Sequence, residues 1–224
     1  MRSGPSSRSA TAPALLKHNV LIHTDAAQSI GKISTDVNEL GIDLLSIAGH
    51  KVYAPKGVGA LFVRRDVRLE PLIHGAGHEG GRRAGTDSAL LAVGLGKACE
   101  LARDLAPMDR VRALRDRFWQ ELQRRFGRRI VLNGHPTLCL PNTLNISFVG
   151  EIGTEILARL DDVAATTGSA CHSGRIELSP VLEAMGIAPE VGIGAVRFSL
   201  GRMTTQDEID VLIERLADVF ARAR

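Results

Sequence analysis

The chain has 224 residues, of which 44% are hydrophobic and 24% are charged. These fractions are ordinary for a globular protein, and they exclude a disordered, collagen-like or low-complexity chain. No apolar run approaches the roughly 18 residues that a membrane-spanning helix needs. The net charge is +3, and nine of the 23 arginines lie between residues 103 and 129. Because aromatic residues make up only 4% of the chain, this stretch favours a solvated helix face over a nucleic-acid-binding surface.

Three cysteines are present, Cys99, Cys139 and Cys171, and none belongs to a CxxC pair. A small, odd set of this kind argues against a disulfide framework and against a zinc site, so we expect no metal. A reducing cytoplasm is the expected compartment. The first 24 residues contain no acidic residue, as in a mitochondrial presequence, but a strand is predicted to begin at Val20, which leaves little to cleave.

The first half of the chain predicts strands. Three short apolar runs, residues 20–23, 43–50 and 57–65, are bounded by polar, glycine or proline residues and predict buried strands. Such runs suit a parallel or mixed sheet that is covered on both faces. A loop rich in glycine and arginine follows at 74–86, and the apolar spacing after it predicts a helix over residues 88–105.

The second half alternates helices and strands. A helix with an apolar stripe is predicted after Pro107, and Thr205 and Glu208 predict a capping box at the start of the last helix. Between them we predict strands over 142–148 and 195–200, a strand entering a loop over 163–174, and a short helix over 152–160. The change of pattern near Pro107 predicts two domains, residues 1–107, of which 1–13 are irregular, and residues 108–224.

Two residues that follow predicted strands suggest a cofactor chemistry. Lys51 follows the second strand and Asp25 follows the first. If these strands are parallel neighbours, both side chains lie at the sheet edge where α/β proteins bind ligands. An amine and a carboxylate are the pair that pyridoxal phosphate (PLP) needs, since the carboxylate keeps the pyridine nitrogen protonated. Taken singly, each residue also fits an ordinary role, a strand-end lysine with an exposed amine or an aspartate that caps a turn.

Five sequence blocks carry a family resemblance. They are HTDAAQSIGK (23–32), SIAGHKVYAPKGVGALFVRR (46–65), GGRRAGT (80–86), TTGSACHSG (166–174) and VRFSLGRMTT (196–205). In this order and spacing they resemble the cysteine desulfurases, which are fold-type I PLP enzymes of the aminotransferase class V group. The resemblance covers about residues 14–224. It implies an α/β fold, with part of a large PLP-binding domain on a mostly parallel sheet and a smaller C-terminal α+β domain.

The resemblance implies a role in cofactor binding for each matching residue. Lys51 matches the Schiff-base lysine, Asp25 the carboxylate on the pyridine nitrogen, and Gln28 the amide near the phenolic oxygen of the ring. His50 matches a histidine on the phosphate side. Thr86 matches a threonine that reaches the cofactor phosphate of the neighbouring subunit, which implies a homodimer.

The resemblance also implies a substrate and a reaction. Arg197 matches the arginine that binds the substrate carboxylate, and Cys171 the nucleophile that takes sulfur from L-cysteine and holds it as a persulfide. Alanine is the other product, and the sulfur passes to an acceptor or scaffold protein for iron–sulfur cluster assembly or thiolation. Neither nucleic acid nor a membrane is an implied partner. Two alternatives stay open: a selenocysteine lyase, and an inactive homologue that serves as an interaction module.

The sequence departs from the family pattern in two places. Family members carry an upstream phosphate loop and a histidine that stacks on the cofactor ring, and residues 1–13 resemble neither. Ala48 stands where many relatives have a serine whose hydroxyl bonds the phosphate. We therefore expect an N-terminally incomplete relative that binds PLP poorly by itself.

Overall fold

The computed structural model describes residues 20–167, 170–172 and 175–221, with only the backbone described for 170–172 and 175–177. The chain divides into two compact units, Met1–Leu105 and Ala106–Arg224. Each unit has its own sheet and its own hydrophobic clusters.

The first unit is built on a three-stranded sheet in the order β1–β2–β3. Its elements are β1 (His23–Asp25), β2 (Leu44–Ala48), a 3-10 turn (Gly49–Lys51), β3 (Gly59–Val63), α1 (His78–Gly81) and α2 (Ala89–Ala102). Strands β1 and β2 are parallel, whereas β3 runs antiparallel to β2. The sheet is therefore mixed, which is one of the two arrangements expected from the apolar runs.

Two strand predictions in this unit are corrected by the structure. Strand β1 begins at His23, and Val20 and Leu21 before it are exposed. The expectation of a sheet covered on both faces is wrong for β3, whose residues 59–61 are exposed. Two small clusters lie in this unit, one of Ala26, Ile42 and Leu45 and one of Val52, Ala54, Leu95 and Ala98. Among the described residues of β3, Phe62 packs against the first cluster, and residues 59–61 belong to neither.

The second unit contains a four-stranded antiparallel sheet in the order β4–β5–β9–β6. Its strands are β4 (Ile130–Leu132), β5 (Thr143–Phe148), β6 (Thr166–Thr167) and β9 (Ala195–Ser199), and β7 (Ala170–His172) pairs separately with β8 (Arg175–Glu177). The helices are α3 (Pro107–Phe126), α4 (Gly153–Ala158), α5 (Pro180–Ala184), α6 (Pro189–Gly192) and α7 (Gln206–Ala221). None of the helices in the described ranges is both long and apolar enough to cross a bilayer.

The core of the second unit joins one face of this sheet to helices α3 and α7. Phe118 of α3 is fully buried and meets Phe198 of β9 edge to face, with ring centroids 5.2 Å apart. Phe148 of β5 stacks on Phe220 of α7 at 4.9 Å. Since side chains alternate along a strand, the residues between these core positions lie on the opposite face of the sheet.

The capping box predicted for the last helix is confirmed. The backbone N–H of Thr205 donates to Oε2 of Glu208 (2.7 Å), and the backbone N–H of Glu208 donates to Oγ1 of Thr205 (3.3 Å). Two backbone donors at the start of α7 are thereby satisfied by side chains.

Arg115 is an exception to the predicted solvated face of the arginine-rich helix α3. It is buried, with an exposed fraction of 4%. Its Nη1 donates to Sγ of Cys139 (2.6 Å) and to the carbonyl oxygen of Leu140 (3.3 Å), and its Nη2 pairs with Asp116. Cys139 is half-buried. This arginine anchors the loop after β4 to α3.

Candidate functional site

Asp25 and Lys51 lie at the carboxyl ends of two neighbouring parallel strands, which is the condition for a shared sheet edge. Asp25 is the last residue of β1 and pairs in register with Ser46 of β2. β2 ends at Ala48, and the 3-10 turn that follows it ends at Lys51. Carboxyl ends of parallel strands form the ligand-binding edge of α/β sheets, so a carboxylate and an amine are both presented at that edge.

The turn after β1 fixes the Asp25 carboxylate. Its Oδ1 accepts the backbone N–H of Ala27 at 2.8 Å, which is an Asx turn, while the side chain remains exposed. Gln28 is also exposed, and the backbone N–H of Ser29 closes the turn onto Ala26 at 2.9 Å. Both predicted side chains of this turn are therefore accessible to a ligand.

The turn that carries Lys51 is held by the backbone of Gly49. The N–H of Gly49 donates to the carbonyl of Val58 (2.9 Å), and its carbonyl accepts the N–H groups of Val52 (2.9 Å) and Ala54 (3.0 Å). Gly49 itself is buried, whereas the next two residues, His50 and Lys51, are exposed. A buried glycine that makes three backbone hydrogen bonds therefore lies two residues before the Lys51 amine.

Two polar residues that sequence analysis did not select lie beside this edge. His23 Nε2 is 2.8 Å from Oγ of Ser46, a contact between β1 and β2. Lys32 Nζ donates to the carbonyl oxygen of Lys51 at 3.4 Å. Burial, and secondarily the charge of Lys51, lowers the pKa of Lys32. The sequence feature that could have identified His23 and Lys32 is their position, since both lie in the same sequence block as Asp25.

Thr86 belongs to the loop between α1 and α2 and is exposed. It lies two residues before Ser88, whose hydroxyl accepts the N–H of Leu91 (3.4 Å) and caps α2. Within the described part of the chain, Thr86 makes no hydrogen bond to the side chains at the sheet edge. A role across subunits remains a prediction.

The remaining predicted residues belong to the second unit. Arg197 is half-buried at the centre of β9, in register with Asn145 of β5 on one side and Thr166 of β6 on the other. Cys171 lies in β7, where its backbone is paired with Ile176 of β8. The side chain of Cys171 lies outside the described residues.

Comparison with known proteins identifies the family. The sequence profile described as aminotransferase class-V matches residues 10–212. The chain is 44% identical over 209 residues to the cysteine desulfurase IscS of Pectobacterium carotovorum subsp. carotovorum, covering 92% of this chain and 51% of that protein. It is 43% identical to the cysteine desulfurase IscS of Escherichia coli over the same length.

Solved structures agree with this match. A NifS-like protein superposes with a TM-score of 0.81 and 32% sequence identity, covering 91% of this chain and 53% of that one. SspA in complex with cysteine superposes with a TM-score of 0.63 and 34% sequence identity, covering 85% of this chain and 53% of that one. The chain spans about half the length of the curated relatives it matches. The α/β fold expected from the five sequence blocks is confirmed, and the chain belongs to the aminotransferase class-V family.

Proposed function

We propose that this chain carries the lysine, carboxylate, arginine and cysteine of a PLP-dependent cysteine desulfurase, which converts L-cysteine to L-alanine and holds the sulfur as a persulfide on Cys171. The observation that carries the proposal is the parallel pairing of β1 with β2, because it presents Asp25 and Lys51 at one sheet edge. The identity with IscS proteins supports the choice of cysteine as substrate.

The polar groups at this edge fit PLP. An exposed primary amine, an exposed carboxylate and an amide are the groups that an aldehyde, a pyridine nitrogen and a phenolic oxygen require. The Asx turn holds the Asp25 carboxylate in a fixed direction, and the His23–Ser46 pair adds a hydroxyl and an imidazole nearby. When bound, PLP supplies an electron-withdrawing ring that stabilises negative charge at the substrate Cα.

The chain's own groups then have defined tasks. The Asp25 carboxylate would hold a proton on the pyridine nitrogen, and the Lys51 amine would take the proton from the substrate Cα. Arg197 binds the substrate carboxylate through its guanidinium. The thiolate of Cys171 attacks the substrate sulfur, so that an S–S bond forms while the Cβ–S bond breaks. The released electron pair stays on Cβ. A proton added at Cβ and the proton that Lys51 returns to Cα then give alanine.

The test is covalent trapping of PLP on the purified chain by borohydride, followed by peptide mapping. Trapping identifies the reacting amine even when affinity is weak, and the chain has only four other lysines to compare. We expect the label at Lys51 and expect K51A to lose it. With L-cysteine, we expect alanine and a persulfide that C171S no longer forms while it still labels Lys51. A label spread evenly over all lysines would contradict the proposal.

We extend the proposal to a cytoplasmic homodimer that passes sulfur to an acceptor or scaffold protein. Support for a second copy comes from α2, where Leu90 (82% exposed) and Val93 (73% exposed) follow the exposed Thr86. Large exposed apolar side chains so close together are typical of protein interfaces. Sedimentation equilibrium should show a dimer that L90E weakens, and a strictly monomeric wild type would refute this part.

A further inference from the structure

One row of polar side chains crosses three strands of the sheet of the second unit, β5, β9 and β6, and continues just past the end of β4. Asn145 of β5 is in register with Arg197 of β9, and Arg197 with Thr166 of β6. Asn133 extends the row beyond β4, since its backbone N–H donates to the carbonyl of Asn145 at 2.9 Å. Paired residues of antiparallel strands share a face, with Cβ atoms about 4.5–5.5 Å apart. The four side chains therefore lie side by side on the face opposite the aromatic core.

The Asn145 carboxamide is oriented by its neighbour in this row. Nδ2 of Asn133 donates to Oδ1 of Asn145 at 2.9 Å and to Oγ of Ser147 at 2.8 Å. Asn133 and Ser147 are buried, with exposed fractions of 9% and 0%. Since the oxygen of Asn145 is engaged on the β4 side, its amino group is left to face β9, where Arg197 lies.

Arg197 presents a second donor at the same place. Its Nε is buried and has no hydrogen-bond partner within the described ranges. A buried N–H without an acceptor is unfavourable, and a carboxylate oxygen accepts strong, charge-assisted bonds from such donors. The Arg197 Nε–H and the Asn145 carboxamide thus lie on adjacent strands, where a single anionic acceptor can meet both.

We propose that Asn145 is a second binding residue for the α-carboxylate of the amino-acid substrate, beside Arg197, and that Asn133 is the positioning residue that orients it. The inference rests on the proposed function, in which Arg197 binds that carboxylate. It adds that one carboxylate oxygen is shared by Arg197 Nε–H and Asn145 Nδ2–H. An amino-acid amide, which has no carboxylate, should gain nothing from Asn145.

The experiment measures protection of Arg197 in the purified chain from phenylglyoxal, an arginine-specific reagent, by peptide mapping. L-Alanine is the protecting ligand and L-alaninamide the control ligand. N145L should raise the half-protecting concentration of L-alanine about tenfold, the factor for one charge-assisted hydrogen bond. N145D should abolish protection because its carboxylate pairs with Arg197. S199A is the matched control on the same face of β9 and should behave as wild type.

N133D tests the positioning role. It keeps the side-chain shape but removes both donors, so it should weaken protection by L-alanine severalfold without changing Lys51 trapping. The melting temperature should fall as well, because a carboxylate replaces a buried amide. A role limited to packing would lower the melting temperature alone and leave the alanine-to-alaninamide ratio unchanged.

The outcomes separate this inference from the proposed function. Equal protection in wild type and N145L, or no protection of Arg197 by L-alanine in wild type, overturns the inference even if Lys51 is labelled and alanine is formed. Protection that depends on Asn145 supports the inference even if Lys51 trapping fails, which would refute only the desulfurase proposal. If N145L does not fold, N145A, which removes the carboxamide without adding a charge, decides the question.

Discussion

Replacing Gly49 by alanine should disturb the turn that presents Lys51. A Cβ at residue 49 would lie 2.7 Å from the carbonyl oxygen of Val58, 3.0 Å from Cγ1 of Val58 and 3.2 Å from Cβ of Ala54. Favourable contacts to carbon lie at about 3.5–4.0 Å. The nearest atom is backbone, so β3 or the turn itself has to move.

The movement that relieves this contact also damages a hydrogen bond. The same Val58 carbonyl accepts the N–H of Gly49 at 2.9 Å, so drawing it away lengthens that bond. Overpacking destabilises by about 1–3 kcal/mol and a lost hydrogen bond by about 1 kcal/mol. The lower chain entropy of alanine in the unfolded state returns about 0.4–1 kcal/mol. We therefore expect G49A to lower the free energy of unfolding by about 1–3 kcal/mol.

G96A is the matched control within the same unit. Gly96 lies in α2, is exposed, and a Cβ there would meet no atom within 4 Å outside the neighbouring helix backbone. The same chemical change should stabilise the protein by about 0.5–1 kcal/mol, because alanine favours helix. The two variants are predicted to have opposite signs.

Urea unfolding measures both free energies, and hydrogen exchange locates the change. G49A should speed exchange in peptides covering β2 and β3, while peptides from α7 serve as the internal reference. Borohydride trapping of PLP should fall at Lys51 relative to the other lysines in G49A and stay unchanged in G96A. If G49A is as stable as wild type and labels Lys51 equally, the close approach of Gly49 to Val58 does not hold the turn.

Three further predictions concern the sheet edge and the last helix. A48S should tighten PLP binding by up to about tenfold through one hydrogen bond to the phosphate, measured as a lower half-saturation of Lys51 trapping, and an unchanged value would place the phosphate elsewhere. K32M should raise the urea midpoint at neutral pH, because the lowered pKa of Lys32 means that the folded state disfavours its ammonium. That gain should shrink as the pH rises towards the ordinary pKa of lysine, and a pH-independent gain would point to packing instead. T205A should cost about 1 kcal/mol in urea unfolding by leaving the N–H of Glu208 without its side-chain acceptor, and no loss would mean that water replaces the cap.

The long elements were predictable because their signals are local. The apolar stripe after Pro107 became α3, and the Thr205–Glu208 box marks the start of α7. Both signals depend on residues three or four positions apart, which a helix brings together whatever the rest of the fold does. The parallel pairing of β1 with β2 was assumed in assigning a cofactor role to Asp25 and Lys51, and it did not follow from a local signal.

The short elements were missed because distant residues create them. Strand β4 has three residues and exists through its pairing with β5, and the β7–β8 hairpin lies where a loop was expected. Helices α5 and α6 have five and four residues, too few for an apolar period to be seen. Burial of Arg115 was missed for the same reason, since its acceptors, Cys139 and Leu140, are 24 and 25 residues away.

The proposed site residues show the same contrast between local sequence signals and contacts from distant residues. Lys51 and Cys171 can be selected from sequence because their side chains have a distinctive chemistry in a distinctive local context. Asn145 has no such signal, since an asparagine in a strand is unremarkable until register places it beside Arg197, 52 residues later in the chain. Register also orients the Asn145 side chain, because it brings Asn133, which follows β4, within hydrogen-bond distance of Asn145. If Arg197 binds the substrate carboxylate as proposed, a change that shifts the alignment of β4, β5 and β9 should weaken substrate binding while PLP trapping at Lys51 is unaffected.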